Sequence, residues 1–172
     1  MERINRKNNR LKDYDYSSCG AYFITICTKN KIMSLCDICR GDPCGRPIIR
    51  YTQLGQIALE TISDIEKKMD IRIDKYVIMP NHIHMIIFIE KDPLEKQITA
   101  GITPTIGKII GGYKSVVAKR WLDVCKKSNV RMGEIWQRSY YDHIIRNEYD
   151  YRDIWNYIDV NPDNWTNDEL NM

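Results

Sequence analysis

Residues 71–90 read IRIDKYVIMPNHIHMIIFIE, and the fold turns on them. The first nine are rich in β-branched and aromatic side chains and begin by alternating apolar with charged, which predicts a strand. Pro80 and Asn81 are turn formers. Residues 82–90 are almost continuously apolar, as expected of a strand buried on both faces in the middle of a sheet. Successive strand side chains point to opposite faces, so Ile83, Met85 and Ile87 share one face and His82 and His84 share the other.

Working outward, Thr52 is a plausible helix N-cap. Leu54, Ile57, Ala58, Ile62 and Ile65 follow it at helical spacing, which predicts an amphipathic helix over Gln53–Met69. Further upstream, residues 22–28 (YFITICT) read as a strand. Downstream, residues 91–104 read as a loop. Ile106, Ile109, Ile110, Tyr113, Val116, Val117 and Trp121 then mark a second long helix, whose Gly111 and Gly112 allow a kink or close packing. Residues 139–146 (SYYDHIIR) give a fourth strand. Residues 148–160 give a last helix, capped by Asn147 and stopped by Pro162. The order strand–helix–strand–strand–helix–strand, plus a C-terminal helix, predicts an α+β ferredoxin-like fold. Its four-stranded antiparallel sheet would carry both long helices on one face.

The length of 172 residues suits one domain, 1–172. No apolar run approaches the roughly 18 residues of a membrane span. The start is basic rather than signal-like, so no membrane partner and a cytoplasmic location are expected. Residues 1–18 read as a basic N-terminal arm, either resting on phosphates or simply solvated. A net charge of +3 permits nucleic-acid binding without demanding it. Six cysteines in a reducing compartment argue against disulfides. Cys36, Cys39 and Cys44 invite a zinc reading, but no fourth ligand lies nearby. The Cys/Gly/Pro-rich stretch over residues 34–50 reads better as an inserted surface loop.

Chemistry concentrates at two places. His82 and His84, side by side on one face, could share a divalent cation or form a hydrogen-bonded structural pair. On the last helix, Tyr151, Ile154, Trp155 and Ile158 form the apolar stripe and Tyr157 lies off it. Asp153, four residues before Tyr157, and Asn161, four after, share its side. A phenolate is a competent nucleophile toward phosphorus, and a divalent metal can polarise a phosphate and orient the attack. A surface tyrosine in an amphipathic helix is the alternative. His143 could bind a phosphate, help organise the site, or pack structurally.

Three motifs then carry a resemblance. Met79-Pro80-Asn81-His82-Ile83-His84 resembles the His-hydrophobic-His (HUH) signature of single-tyrosine transposases. Residues 135–146 (IWQRSYYDHIIR) resemble the segment that follows it in the REP-associated tyrosine transposases. Residues 157–162 (YIDVNP) resemble that branch's tyrosine motif. The similarity runs from about residue 22 to residue 165, nearly the whole chain. The resemblance implies the HUH endonuclease fold and a single-stranded or hairpin DNA substrate from palindromic repeats. It implies Tyr157 as the nucleophile of a 5′-phosphotyrosine intermediate, and Mg²⁺ or Mn²⁺ on His82 and His84. Asn161 stands where relatives place a third ligand. Tyr151, six residues before Tyr157, is the rival nucleophile but belongs to the apolar stripe. The loop at residues 36–47 departs from the pattern, and the chain ends soon after the tyrosine helix.

Candidate DNA contacts are Lys114, Lys119 and Arg120 on the second helix, and Arg138, Tyr140, His143 and Arg146 at the fourth strand. Basic groups would grip phosphates and aromatic rings would stack bases. Arg138 and Arg146 come first because their strand carries the family motif. Competing readings are an RNA-binding sheet, a domesticated nuclease that no longer moves itself, a zinc protein, and a non-catalytic or decayed hairpin-binding protein. Monomer and homodimer both remain open.

Overall fold

The computed structural model describes residues 19–40, 47–90 and 104–171. The basic arm, the loop at 91–103 and the Gly-Asp-Pro-Cys-Gly-Arg run with Cys44 lie outside the described residues. The elements in chain order are β1 (Gly20–Cys27), β2 (Cys36–Arg40), β3 (Pro47–Tyr51), α1 (Gln53–Met69), β4 (Arg72–Ile78), β5 (His82–Ile89), α2 (Ile106–Lys127), β6 (Tyr141–Ile145) and α3 (Glu148–Val160). The main sheet has the order β4-β5-β1-β6, with every neighbouring pair antiparallel. This is the ferredoxin-like α+β arrangement.

β5 sits inside the sheet, as its apolar run predicts. Ile83, Met85 and Ile87 join the larger core with Ile62 and Ile65 of α1 and Ile109, Ile110 and Val117 of α2. Tyr113 donates to Ala58 O at 2.9 Å and ties α2 to α1. Gly112 lets α2 approach the end of α1, because a Cβ there would stand 3.0 Å from Met69 Cε. The opposite face buries a smaller core around Val77, Met79, Ile86 and Ile158, with Tyr151, Ile154 and Trp155 of α3 against it. α3 is fastened to the β4 edge by Tyr151 donating to Asp74, by the Lys75–Asp159 ion pair, and by Lys75 over the Trp155 ring.

One expectation is corrected. The stretch over residues 34–50 is not a bare inserted loop, because it holds β2 and the start of β3, which pair antiparallel as a separate two-stranded sheet. Ile38 and Ile49 pack on the smaller core, so the hairpin covers part of the sheet. Cys36 and Cys39 are three apart on a strand and point to opposite faces. Cys36 is buried and donates to Ile78 O at 3.3 Å. Burial, and then Asp37, push its thiol up to about 12, and Cys39 on the other face of the strand does not share a ligand position with it.

Residues 135–146 run alongside β1 in two pieces. Thr25 pairs with Tyr141 and Thr28 with Trp136, so three steps along β1 face five along the partner. The two extra residues make a bulge. Lys114 reaches from α2 to satisfy its carbonyls, donating to Gln137 O at 2.8 Å and Ser139 O at 2.9 Å. No helix among the described residues is long and apolar enough to cross a membrane.

Candidate active site

The turn before β5 and the start of β5 build the site. Met79 N–H donates to His82 O at 2.8 Å and closes the hairpin at Pro80 and Asn81. His82 and His84 then emerge on the face opposite the two long helices, with ring centroids 4.4 Å apart. Both are buried. A second contact fixes each ring. Asn81 Oδ1 lies 2.8 Å from His82 Nδ1, and Thr25 Oγ1 lies 2.8 Å from His84 Nδ1 on the neighbouring strand. A proton on each Nδ1 leaves each Nε2 as a lone pair aimed away from the strand. Burial lowers the pKa of His82 to about 4 and that of His84 well below its usual value, so both rings are neutral at pH 7.

α3 crosses this face and brings Tyr157 over the pair. Asn147 caps the helix by accepting from Asp150 N–H at 2.9 Å. The apolar stripe seats it on the small core, and Tyr157 lies off that stripe. Its hydroxyl lies 3.3 Å from His84 Nε2. Its ring stands edge-on to His84 and to Phe23, and Phe23 stacks on His84 at 5.2 Å. Tyr157 is 45% exposed, so a substrate can reach it. Burial, then the charge of Asp168, raise the phenol above its ordinary pKa; Asn161 partly opposes this. An open cleft of about 610 Å³ lies beside it, lined by Phe23, Thr25, Tyr141, Asn161 and Asp168 among others.

Asn161, the residue after α3, is buried. Its Nδ2 donates to Asp168 Oδ2 at 3.1 Å. Its Oδ1 and His82 Nε2 have no hydrogen-bond partner of normal geometry among the described residues. Leaving a buried acceptor unsatisfied costs about 1–3 kcal/mol each. Two such acceptors beside the Nε2 of His84 are what a cation would relieve, and two imidazoles with an amide oxygen suit a divalent transition ion. Ligand atoms of His82, His84 and Asp168 all lie within 4.8 Å of one another. The donors present therefore fit a divalent metal.

The fold brings together Tyr157, His82, His84 and Asn161. It does not bring Asp153 there; that side chain is exposed on α3 outside the cleft. Tyr151 bonds Asp74 on the β4 side, away from the histidines. The DNA-contact candidates scatter. Lys114 is taken up by the bulge carbonyls, and burial lowers its pKa to about 8. Arg120 bonds Asp64 and Thr61 of α1. Lys119 is exposed on α2, and Tyr140 packs against the larger core. His143 pairs with Asp150 at 2.9 Å on the surface. Arg138 and Arg146 are exposed on either side of β6. The sequence reading missed Asp168 altogether. It took Asn81 for a turn former only, although the Asn81-His82 dipeptide signals a side chain that can orient the ring beside it.

Known proteins resemble this chain along most of its length. A family model described as "Transposase IS200 like" matches residues 45–161. A Haemophilus influenzae protein described as uncharacterized is 37% identical over 177 residues, covering 96% of this chain and 92% of its own. The solved structure of a REP-associated tyrosine transposase bound to a REP hairpin superposes with a TM-score of 0.56 at 20% identity, covering 91% of this chain and 74% of that one. A crystal structure from Deinococcus radiodurans R1 gives a TM-score of 0.50 at 16% identity, covering 87% and 95%.

Proposed function

The chain belongs to the IS200-like transposase family, and we propose that it cuts and rejoins single-stranded DNA beside a hairpin through Tyr157. The observation that carries the reading is the Tyr157 hydroxyl, 3.3 Å from His84 Nε2 at an open cleft above two buried acceptors without partners. The hairpin held by the structurally similar transposase supports the class of substrate.

In this reading the Tyr157 oxygen bonds to the scissile phosphorus as the bond to the 3′ oxygen breaks. The phenolic proton leaves to water, and the departing oxygen takes one up to become a 3′-hydroxyl. The 5′ side stays on Tyr157 until another 3′-hydroxyl displaces it. Burial raises the phenol above its already high ordinary pKa, which favours loss of the proton during attack. His82 Nε2, His84 Nε2 and Asn161 Oδ1 are the donors assigned to Mg²⁺ or Mn²⁺. Bound there, the ion would polarise the phosphate and neutralise developing charge. Asn81 Oδ1 can only accept and so holds His82 in the tautomer that ligation needs, while the Thr25 hydroxyl accommodates the same tautomer at His84. Donation by Tyr157 to His84 Nε2 and ligation of an ion by that nitrogen exclude each other, because a ring nitrogen has one lone pair. Phe23 and Tyr141, which line the cleft, offer ring faces for bases.

The test incubates the purified protein with labelled single-stranded hairpins from the flanks of its own gene, with Mn²⁺ and with EDTA, beside Tyr157→Phe. A covalent adduct that needs the metal and disappears in Tyr157→Phe is expected. Binding to those hairpins without any adduct would replace the enzyme by a non-catalytic or decayed hairpin-binding protein.

A further inference from the structure

We propose that Asp168, on the segment that follows α3, is an anionic ligand of the ion held by His82 and His84. This rests on the metal reading above and extends it to a residue outside the signature motifs. Asp168 follows Trp165–Asn167, a single 3₁₀ turn that folds back under the site. Trp165 lies 6.0 Å from the His82 ring, and Leu170 O accepts from Asn81 Nδ2 at 2.7 Å. The side chain that orients His82 therefore also anchors this segment. Between the two anchors, Asp168 is held on both oxygens, by Leu170 N–H at 2.6 Å and Asn161 Nδ2 at 3.1 Å.

That placement sets a carboxylate oxygen within 4.8 Å of ligand nitrogens of both histidines. The independent sign of a ligand is the pair of buried, partnerless acceptors, His82 Nε2 and Asn161 Oδ1, in the same small volume. No donor among the described residues answers them; a cation would. Charge favours the carboxylate as well. Two neutral imidazoles and an amide leave a divalent ion at +2. With Asp168 the site is at +1, and a single phosphodiester brings it to zero. A carboxylate oxygen suits Mn²⁺, so Asp168 adds a hard donor to the two imidazoles and the amide oxygen. Asp159, by contrast, is paired with Lys75.

Calorimetric titration with MnCl₂ and with CdCl₂ on the full chain tests this, without reference to DNA cleavage. Asp168→Asn should weaken Mn²⁺ binding at least about tenfold, in line with the loss of a ligand or its direct support. Asp168→Cys should also lose Mn²⁺ affinity. It should gain Cd²⁺ affinity over the unmodified chain, with a new ultraviolet sulfur-to-cadmium band, which a residue that merely steadies the segment would not produce. If His82→Ala weakens Mn²⁺ while Asp168→Asn binds it as before and Asp168→Cys shows no band, the metal site stands and Asp168 is not its ligand. If the unmodified chain binds no Mn²⁺, the metal reading falls and this inference with it.

Discussion

His82 and His84 are neutral because burial makes the imidazolium expensive, and that has a consequence for stability. In the unfolded chain a histidine titrates near 6.5, whereas in the folded chain His82 titrates at about 4 and His84 well below its usual value. Below the unfolded value, the unfolded state binds more protons than the folded one, so acid favours unfolding. The contribution is complete above pH 6.5 and fades as pH falls toward 4. For His82 alone it is on the order of 3 kcal/mol. Urea midpoints measured in EDTA should therefore drop steadily from pH 6.5 to pH 4. In His82→Gln the same titration should be flatter. Equal slopes would mean that the His82 ring is not held neutral. Periodicity puts the histidines on one face of their strand and Tyr157 and Asn161 on one side of the last helix, and the resemblance to a family supplied the roles proposed for them. Asp168 was not legible, since it lies beyond the Pro162 stop, where no period governs which way a side chain faces. Its role depends on the chain folding back on Asn81 and Asn161, a long-range event with no local signature.

At the scale of elements, the same contrast recurs. α1, α3 and the four strands of the main sheet could be read because their apolar patterns match a period. The β2–β3 hairpin could not. Its flanking Gly-Asp-Pro-Cys-Gly-Arg run looks like a turn, and only packing of Ile38 and Ile49 on the small core reveals paired strands. How that hairpin joins α1 yields a prediction whose sign distinguishes packing from propensity. Thr52 caps α1, accepting from Gly55 N–H at 3.0 Å while its own hydroxyl donates to Ser34 O at 2.7 Å. Leu35 O accepts from Thr52 N–H at 3.0 Å, so the carbonyl of Leu35 lies directly on the first turn. A Cβ on Gly55 would stand 1.8 Å from that oxygen. Helix propensity alone favours Gly55→Ala by up to about 1 kcal/mol. Backbone overlap should reverse this and destabilise the chain by roughly 1–3 kcal/mol or more. Urea unfolding decides between them; a stabilised variant would mean that Leu35 does not press on this turn.

For the whole molecule, the sheet separates two layers with different tasks. α1 and α2 cover the Ile83, Met85 and Ile87 face, while α3, the hairpin and the cleft occupy the histidine face. Charges on α2 accordingly belong to the layer away from Tyr157. Arg120 is tied there to Asp64, and Lys114 is tied to the bulge at the seam. β6 is the outer strand on the side of β1, Tyr141 at its start is 50% exposed and lines the cleft, and exposed Arg138 and Arg146 flank it. A strand of DNA reaching Tyr157 should then run along this edge. Each phosphate neutralised by such a side chain releases counterions, so affinity falls with salt in proportion to the number of contacts. Fluorescence anisotropy of a labelled hairpin across a KCl series should show Arg138→Ala and Arg146→Ala each weakening binding and reducing the slope by about 1. Arg120→Ala should leave the slope unchanged, although it loses an ion pair between the helices. The reverse pattern, with Arg120 setting the slope and the β6 arginines silent, would put the DNA across the helix layer. Tyr157 would then lie on the wrong side of the sheet to attack it.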